Sequence, residues 1–279
     1  MIDQWQEKAD VSRLCAVLKV SRSGFYSARQ RRRQPRRTCA VRGALTAAFQ
    51  ASGGSYGSRR LRAALHAQGI TLGRYRVRRL MQQQGLQARW RRKFTHTTHS
   101  RHTLPVADNV LNRQFYPDAP DRAWVCDITY VRTRRGWLYL AAVMDLFSRK
   151  IIGWAMAPAM PAELAVEALS MAIAARTPQP GLMVHSDRGS QYASELHRSL
   201  LARHGLVASM SRKACCWDNA VMERFFLNLK MERIWQRDYA NHIEASHDIT
   251  DYIVNFYNAI RLHSTLGYRS PNDIERHAA

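Results

Sequence analysis

Trp124-Val-Cys-Asp-Ile-Thr-Tyr-Val131 is the stretch that decides the fold, because it combines aromatic and β-branched residues with one carboxylate, Asp127, in its middle. This composition predicts a β-strand. Two more runs of the same kind cover residues 137–144 and 150–157, and a turn-like joint at 145–149 separates them. The three runs therefore predict three strands that follow one another as a meander.

Helices and strands alternate after the meander. The predicted helices cover about residues 161–176, 194–204, 219–235 and 243–259, and the predicted strands cover 182–186 and 207–211. A meander followed by alternating helices and strands indicates an α/β fold, with a mixed sheet and helices on its faces. Ribonuclease H-like folds have this order, so residues 115–279 are predicted to form a ribonuclease H-like domain with a C-terminal helix.

The N-terminal part, residues 1–104, is predicted to be a small all-α region of the helix-turn-helix type. Residues 11–29 have the pattern of two short helices around a turn, and Ser21 is placed to cap the second helix. Residues 57–86 predict another helical pair. In this second pair we expect Ser58 as a cap, Val77, Leu80 and Met81 as inward residues, and Gly69 and Gly85 at the helix ends.

Two polar stretches are predicted to be linkers. Residues 29–37 are basic and contain a proline, which ends a helix. Residues 90–104 lack any periodicity. His96, His99 and His102 lie in this second stretch, but no cysteine accompanies them, so a solvated linker is favoured over a metal site.

Positive charge is concentrated in the N-terminal region. The chain has 43 Lys and Arg against 21 Asp and Glu, and residues 1–100 hold 22 of the basic residues and three of the acids. No acid occurs between Asp10 and Asp108. Self-repulsion disfavours such a block, whereas a polyanion relieves it by counterion release. A basic tail that serves only solubility is the alternative, and the helical periodicity of the stretch argues against it. We therefore predict that the region binds double-stranded DNA, with Arg59, Arg60 and Arg62 among the contacts.

Several classes of protein are excluded by composition. Hydrophobic residues make up 46% of the chain, which is enough for a core. The longest apolar runs are far shorter than the roughly 20 residues that span a bilayer, and the N-terminus lacks the apolar segment of a secretory signal. The five cysteines form an odd set without a C-x-x-C pair, which argues against a disulfide framework. These observations predict a cytoplasmic protein with no membrane partner.

Three acids stand where an isolated carboxylate is costly or where active sites collect. Asp127 lies within a strand, Asp187 directly follows a buried strand, and Glu223 lies one turn into an amphipathic helix. Cleaving a phosphodiester requires an activated nucleophile and a stabilised leaving oxygen, and two Mg²⁺ ions about 3.5–4 Å apart supply both. Mg²⁺ prefers oxygen ligands. We therefore predict that the three acids are catalytic and hold two Mg²⁺ ions per site, with Mn²⁺ as a substitute.

The spacing of these acids resembles a known signature. Thirty-five residues separate Asp187 from Glu223, and Lys230 follows seven positions later. This resembles the D,D-35-E pattern of retroviral integrases and related bacterial transposases. The sequence motifs are most similar to those of the second-reading-frame (OrfB) transposases of copy-out, paste-in insertion sequences. Matching stretches include Trp124-x-x-Asp127-x-Thr129-Tyr130, His185-Ser-Asp-Arg-Gly-Ser-Gln-Tyr192, Trp217-Asp-Asn-Ala220 and Tyr257-Asn258-x-x-Arg261-x-His263.

The resemblance implies a bacterial, nucleoid-associated enzyme that cleaves the 3′ ends of an insertion sequence and joins them to target DNA. It also implies two or more protomers on DNA and a partner encoded by an upstream reading frame. Lys213, Asn219 and Lys230 are predicted to face DNA near the site. Arg261 and His263 are predicted either to contact DNA or to form a structural latch.

The sequence departs from the family pattern in two respects. Ala214 and Cys215 replace a Gly and an Asn that the family usually has, and Ala214 would be strained if that position needs a positive φ. The chain also lacks a heptad run for dimerisation. An alternative function is therefore a DNA-binding modulator that is inactive until it is joined to the upstream product, and a third is a structure-selective nuclease that never joins strands.

Overall fold

A five-stranded mixed sheet forms the centre of the C-terminal unit, residues 88–279. The structure, a computed structural model, describes residues 10–33, 37–88, 104–213 and 215–278. The strands are β1 (Ala123–Thr133), β2 (Gly136–Asp145), β3 (Ile151–Ala157), β4 (Met183–Ser186) and β5 (Val207–Met210). Their order is β3-β2-β1-β4-β5, with β1, β2 and β3 antiparallel and β4 and β5 parallel to β1. The predicted meander and mixed sheet are confirmed.

The residues of β1 alternate between the two faces of the sheet, so each face has its own apolar core. Val125 and Val131 belong to one core, and Trp124 and Cys126 belong to the other. Helices α6 (Ala162–Arg176), α7 (Ser190–Ala193) and α8 (Glu195–Arg203) cover the Trp124 face. Helices α9 (Ala220–Glu232) and α10 (His242–Asp251), followed by a π-helical segment, Tyr252–Asn258, cover the Val125 face. A last helix, α11, spans Pro271–Ala278.

Strand β3 and helix α6 meet at backbone distance. A Cβ atom on Gly153 would lie 2.3 Å from the carbonyl oxygen of Ala168 and 2.7 Å from the amide nitrogen of Ala172. Real carbon and oxygen atoms never approach so closely, so only glycine fits here. The glycine therefore lets α6 pack closely against β3, the strand at the edge of the sheet.

The N-terminal unit, residues 1–87, is all helical in its described part. Its helices are α1 (Val11–Val17), α2 (Arg22–Arg33), α3 (Arg37–Ala51), α4 (Ser58–Ala67) and α5 (Arg74–Gln83). Ser21 Oγ accepts a hydrogen bond from the Gly24 amide at 3.0 Å, as a capping residue does. Val77, Leu80 and Met81 are buried, and Gly69 and Gly85 have the positive φ of helix-ending residues.

Several predictions for the N-terminal unit are wrong. Helix α2 continues to Arg33, into the basic stretch predicted as a linker, because arginine is a good helix former and charge alone does not end a helix. Helix α3 has a weak apolar pattern and was not predicted. Gly57, rather than Ser58, is the N-cap of α4.

Two further predictions are not tested by the structure. Residues 90–103, with the three histidines, lie outside the described residues. The domain bounds 1–104 and 115–279 stay a prediction.

Among the described residues, none of the helices has the length and apolar content needed to cross a membrane.

Candidate active site

The sheet register brings Asp127 and Asp187 to the same level on neighbouring strands. In the parallel pair β1 and β4, Ala123 lies beside Met183 and Val125 beside His185. Continuing this register by two residues places Asp127 beside Asp187, just past the end of β4. Neighbouring strands lie about 4.8 Å apart, so the two carboxylates share one edge of the sheet.

Backbone amides hold both carboxylates in place. Asp127 Oδ1 accepts a hydrogen bond from the Ile128 amide at 2.8 Å, and Asp187 Oδ1 accepts one from the Gly189 amide at 2.8 Å. A Cβ atom on Gly189 would lie 3.0 Å from Asp187 Oδ1, so a side chain at this position would crowd the carboxylate. Each aspartate therefore has a fixed direction before any ligand binds.

Helix α9 presents the third acid to this edge. Met222, Phe225 and Leu229 are buried in the core beneath the helix, while Glu223 is exposed in its first turn. Burial raises the pKa of Asp127 well above its ordinary value, and the negative charges of Asp187 and Glu223 raise it further. The three carboxylates thus interact electrostatically as one group.

The donor set fits a hard divalent cation. Carboxylate oxygens are the ligands that Mg²⁺ prefers, and a cation would relieve the repulsion that raises the pKa of Asp127. Among the residues that the structure describes, no three His, Cys, Asp or Glu side chains form a preassembled metal cluster. The fit therefore rests on the chemistry of the three acids and on the register that pairs two of them.

Lys230 lies on the same helix as Glu223 but is buried. Its Nζ atom is 4.6 Å from the centre of the Tyr130 ring. Burial lowers the pKa of Lys230 to about 8, although the Asp127 carboxylate acts in the opposite direction. Lys230 therefore interacts electrostatically with Asp127, and only 5% of its surface reaches solvent.

The segment before α9 is held by Asp218. Asp218 lies in a 3₁₀ turn, Cys216–Asn219, and the N-cap of α9 is Asn219. Burial alone would raise the pKa of Asp218, but hydrogen bonds from Arg212 and Arg113 outweigh it and hold this pKa well below its usual range. The Arg113 contact comes from a loop about a hundred residues earlier and had no signal in the sequence.

The remaining residues predicted near the site differ in exposure. Lys213 is exposed, whereas Asn219 is buried and donates from Nδ2 to the carbonyl oxygen of Cys126 at 3.1 Å. Cys215 Sγ lies 2.9 Å from an Arg113 nitrogen. Ala214 lies outside the described residues.

Arg261 and His263 are buried, so of their two predicted roles the structure favours the latch. The guanidinium of Arg261 donates two hydrogen bonds of 2.8 Å to the Glu232 carboxylate, and Tyr252 donates a third at 2.7 Å. The His263 ring stands edge-on to Tyr257, with 4.8 Å between ring centres. These contacts tie the C-terminal segment to the end of α9.

Helix α5 of the N-terminal unit carries basic residues that sequence reasoning overlooked. Val77, Leu80 and Met81 face the interior, so the opposite face of the helix is exposed. That face bears Arg74, Tyr75, Arg76, Arg78 and Arg79. The signal was available, because these residues alternate with the three inward ones. On α4, Arg59 and Arg62 are exposed and Arg60 lies over the Tyr56 ring.

Comparison with protein families gives three matches. Residues 117–216 and 204–271 each match a family described as integrase core domain, and residues 37–94 match the HTH-like domain family. The last match covers helices α3 to α5.

Comparison with individual proteins gives relatives that match nearly end to end. The chain is 41% identical to Transposase InsF for insertion sequence IS3A of Escherichia coli strain K12, over 98% of this chain and 96% of that one. It is 44% identical to the Insertion element IS600 uncharacterized 31 kDa protein of Shigella sonnei, over 92% of this chain and 96% of that one.

Solved structures that resemble the chain are more distant. The HTLV-2 integrase catalytic core domain in complex with magnesium matches at 15% identity and a TM-score of 0.44, over 56% of this chain and 97% of that one. The simian T-cell lymphotropic virus intasome in complex with PP2A regulatory subunit B56 gamma matches at 16% identity and a TM-score of 0.48, over 76% and 69%. The identity with InsF across 98% of the chain decides the assignment: the protein belongs to the IS3-type insertion-sequence transposases, which are DDE-type polynucleotidyl transferases with an integrase core domain.

Proposed function

We propose that this transposase cleaves the 3′ ends of its insertion sequence and joins them to target DNA at a site made by Asp127, Asp187 and Glu223. Two observations support the proposal. The register of β1 and β4, continued by two residues, brings Asp127 of β1 beside Asp187, which follows β4. The charges of Asp187 and Glu223 both raise the pKa of Asp127. Rigid strands and a packed helix are suitable supports for such a site.

The chemistry consists of two displacements at phosphorus. In the first, a water oxygen attacks the phosphodiester at the end of the element, and the bond to the 3′ oxygen breaks to leave a 3′-OH. In the second, that 3′-OH attacks a target phosphodiester and displaces its 3′ oxygen. When bound, two Mg²⁺ or Mn²⁺ ions would supply nucleophile activation and leaving-group stabilisation.

The protein side chains have defined tasks in these steps. Asp127 and Asp187, each fixed by a backbone amide, would be shared ligands, and Glu223 would complete the set from α9. Lys230 would balance the negative charge of the acids beside Tyr130. Asn219 would hold the start of α9 against β1 through its Nδ2 hydrogen bond to the carbonyl oxygen of Cys126.

The reaction determines the partners that the enzyme needs. Two DNA ends must be brought together for one integration, so we propose a homo-oligomer on double-stranded DNA, assisted by the upstream reading-frame product. The natural location of such an enzyme is the bacterial cytoplasm, at the nucleoid.

The test uses the purified chain, labelled duplexes of the element ends and Mg²⁺ or Mn²⁺, with nicking and strand joining followed on a gel. We expect joined product in both metals and none in EDTA. Nicking without joining would favour the nuclease alternative. Bound DNA without any product would favour the modulator alternative, and the fusion with the upstream product would then be assayed.

Element-end recognition is assigned to α5, with α4 in a supporting role. The N-terminal residues of the second helix in helix-turn-helix units contact base edges, whereas the first helix crosses the backbone. We therefore expect Arg76→Ala to lower the affinity for element ends about tenfold while leaving affinity for random DNA nearly unchanged. Arg62→Ala should weaken both and reduce the slope of log affinity against log salt by about one.

Fluorescence anisotropy titrations at several salt concentrations measure both effects. Arg135→Ala is a control in the other unit, since this exposed arginine has no proposed role. An equal loss on both DNAs for Arg76→Ala would show that α5 contacts only phosphates.

A further inference from the structure

Trp217 exposes its indole beside the proposed active site. Its side chain is 69% exposed, more than any other tryptophan among the described residues. Tryptophan has a large apolar surface and is enriched at binding interfaces. Trp217 belongs to neither apolar core of the sheet, and it is not one of the proposed metal ligands.

The segment that carries Trp217 is held firmly, although the indole itself is exposed. Asp218, the next residue, is 1% exposed and accepts hydrogen bonds from Asn109 at 2.8 Å and Arg113 at 2.7 Å. It also accepts one from the backbone amide of Arg212 at 3.0 Å. Asn219 is 4% exposed. The indole is therefore presented from a fixed backbone, which lowers the entropic cost of using it to bind a ligand.

The position of this segment relative to the acids is set by one hydrogen bond and by the short stretch of chain between Trp217 and Glu223. Asn219 donates to the carbonyl oxygen of Cys126, the residue before Asp127. Glu223 lies in the first turn of α9, four residues after Asn219. Trp217 precedes Asn219 by two residues, and consecutive Cα atoms are 3.8 Å apart, so the Cα atoms of Trp217 and Asn219 are at most about 8 Å apart.

Cationic side chains flank Asp218, the residue that follows the exposed tryptophan. The Arg113 and Arg212 side chains are 45% and 51% exposed, although both also pair with Asp218. Lys213 is exposed in the same segment. An aromatic side chain among positive charges is the arrangement that proteins use to bind unpaired nucleic acid, because charges attract the backbone and the ring stacks on a base.

We propose that Trp217 stacks on an unpaired base of the DNA strand whose phosphate occupies the active site. This inference rests on the proposed function, and it specifies the substrate as a DNA end with at least one nucleotide separated from its partner. Inside a duplex both faces of a base are covered by its neighbours, so at any position except the terminal base pair a flat indole can stack only on a base that has left the duplex.

The test is a double-mutant cycle between Trp217 and the bases at the element end. Binding is measured in a Glu223→Gln background, where no chemistry intervenes, on duplexes with a single abasic site at each of the last few positions of either strand. We expect Trp217→Ala to weaken binding to intact ends about tenfold and to have no effect when the contacted base is missing. Trp217→Phe should retain most of the affinity. Tyr116→Ala, which removes an aromatic side chain that is 76% exposed, is the matched control and should change nothing.

Other outcomes would overturn the inference. An equal loss for Trp217→Ala at every abasic position would show that no particular base stacks on it. A change in the oligomeric state of Trp217→Ala without DNA, measured by sedimentation, would assign the indole to a protein contact. The cycle reports binding alone, so it remains decisive even if the parent chain fails to join strands and the proposed chemistry is rejected.

Discussion

Asp127→Asn will abolish nicking and joining and will make the metal-free protein more stable. The loss of activity follows because an amide is a poor ligand for Mg²⁺, and several kcal/mol of transition-state stabilisation corresponds to about a thousandfold in rate or more. The gain in stability follows because burial and the charges of Asp187 and Glu223 raise the pKa of Asp127, so its ionised form is unfavourable in the fold. Asparagine has the same shape without the charge.

Gel assays measure the activity, and thermal unfolding in EDTA and in Mg²⁺ measures the stability. The melting temperature should rise by about 2–4 °C for each kcal/mol of repulsion removed. Mg²⁺ should stabilise the parent but not the Asn variant.

Glu223→Gln should lose activity with little change in metal-free stability, because Glu223 is exposed. Asp238→Asn, a surface control, should behave as the parent. A parental joining rate in Asp127→Asn would remove Asp127 from the site.

Arg261→Met will destabilise the C-terminal unit by about 3–5 kcal/mol, because it leaves the Glu232 carboxylate buried without its counter-charge. The two side chains are 1% and 6% exposed and are joined by two hydrogen bonds of 2.8 Å. In a unit of this size the loss corresponds to a fall in melting temperature of about 10 °C. Calorimetric unfolding measures it.

An exposed ion pair gives the matched comparison. The Arg134 and Asp238 side chains are 66% and 73% exposed, so Arg134→Met should cost less than about 1 kcal/mol. The double variant Arg261→Met/Glu232→Met should recover most of the loss, because it removes both buried charges. Similar small effects for Arg261→Met and Arg134→Met would show that Glu232 is not isolated from water when its partner is absent.

The sequence predicted those parts of the fold that depend on local pattern. The strands around Asp127 and before Asp187 and the helix around Glu223 carry clear periodicity, and the structure has them within a few residues. Helix α3 was missed because its apolar residues are spread around the helix. The predicted helix 243–259 ends as the π-helical segment Tyr252–Asn258, a change in hydrogen bonding that residue spacing does not encode.

Contacts between residues that are far apart in the sequence could not be predicted from the sequence. A charged residue such as Arg261 has the same appearance in a sequence whether it is exposed or buried. Only the fold brings Glu232 to it, and only the fold brings Asn109 and Arg113 to Asp218. The carboxylates could be singled out because the cost of an acid within an apolar strand is visible locally.

The shared register of β1 and β4 has a consequence for how such enzymes diverge. Asp127 and Asp187 are neighbours because of hydrogen bonds between two adjacent strands, and the residues between them form a hairpin, a strand and α6. Insertions in the turns between these elements would leave Asp127 and Asp187 side by side. A shift of one residue in β4 would turn Asp187 to the opposite face of the sheet. The number of residues between the two aspartates can therefore change in evolution. The register of β4, a strand of four residues, cannot change without separating the two carboxylates.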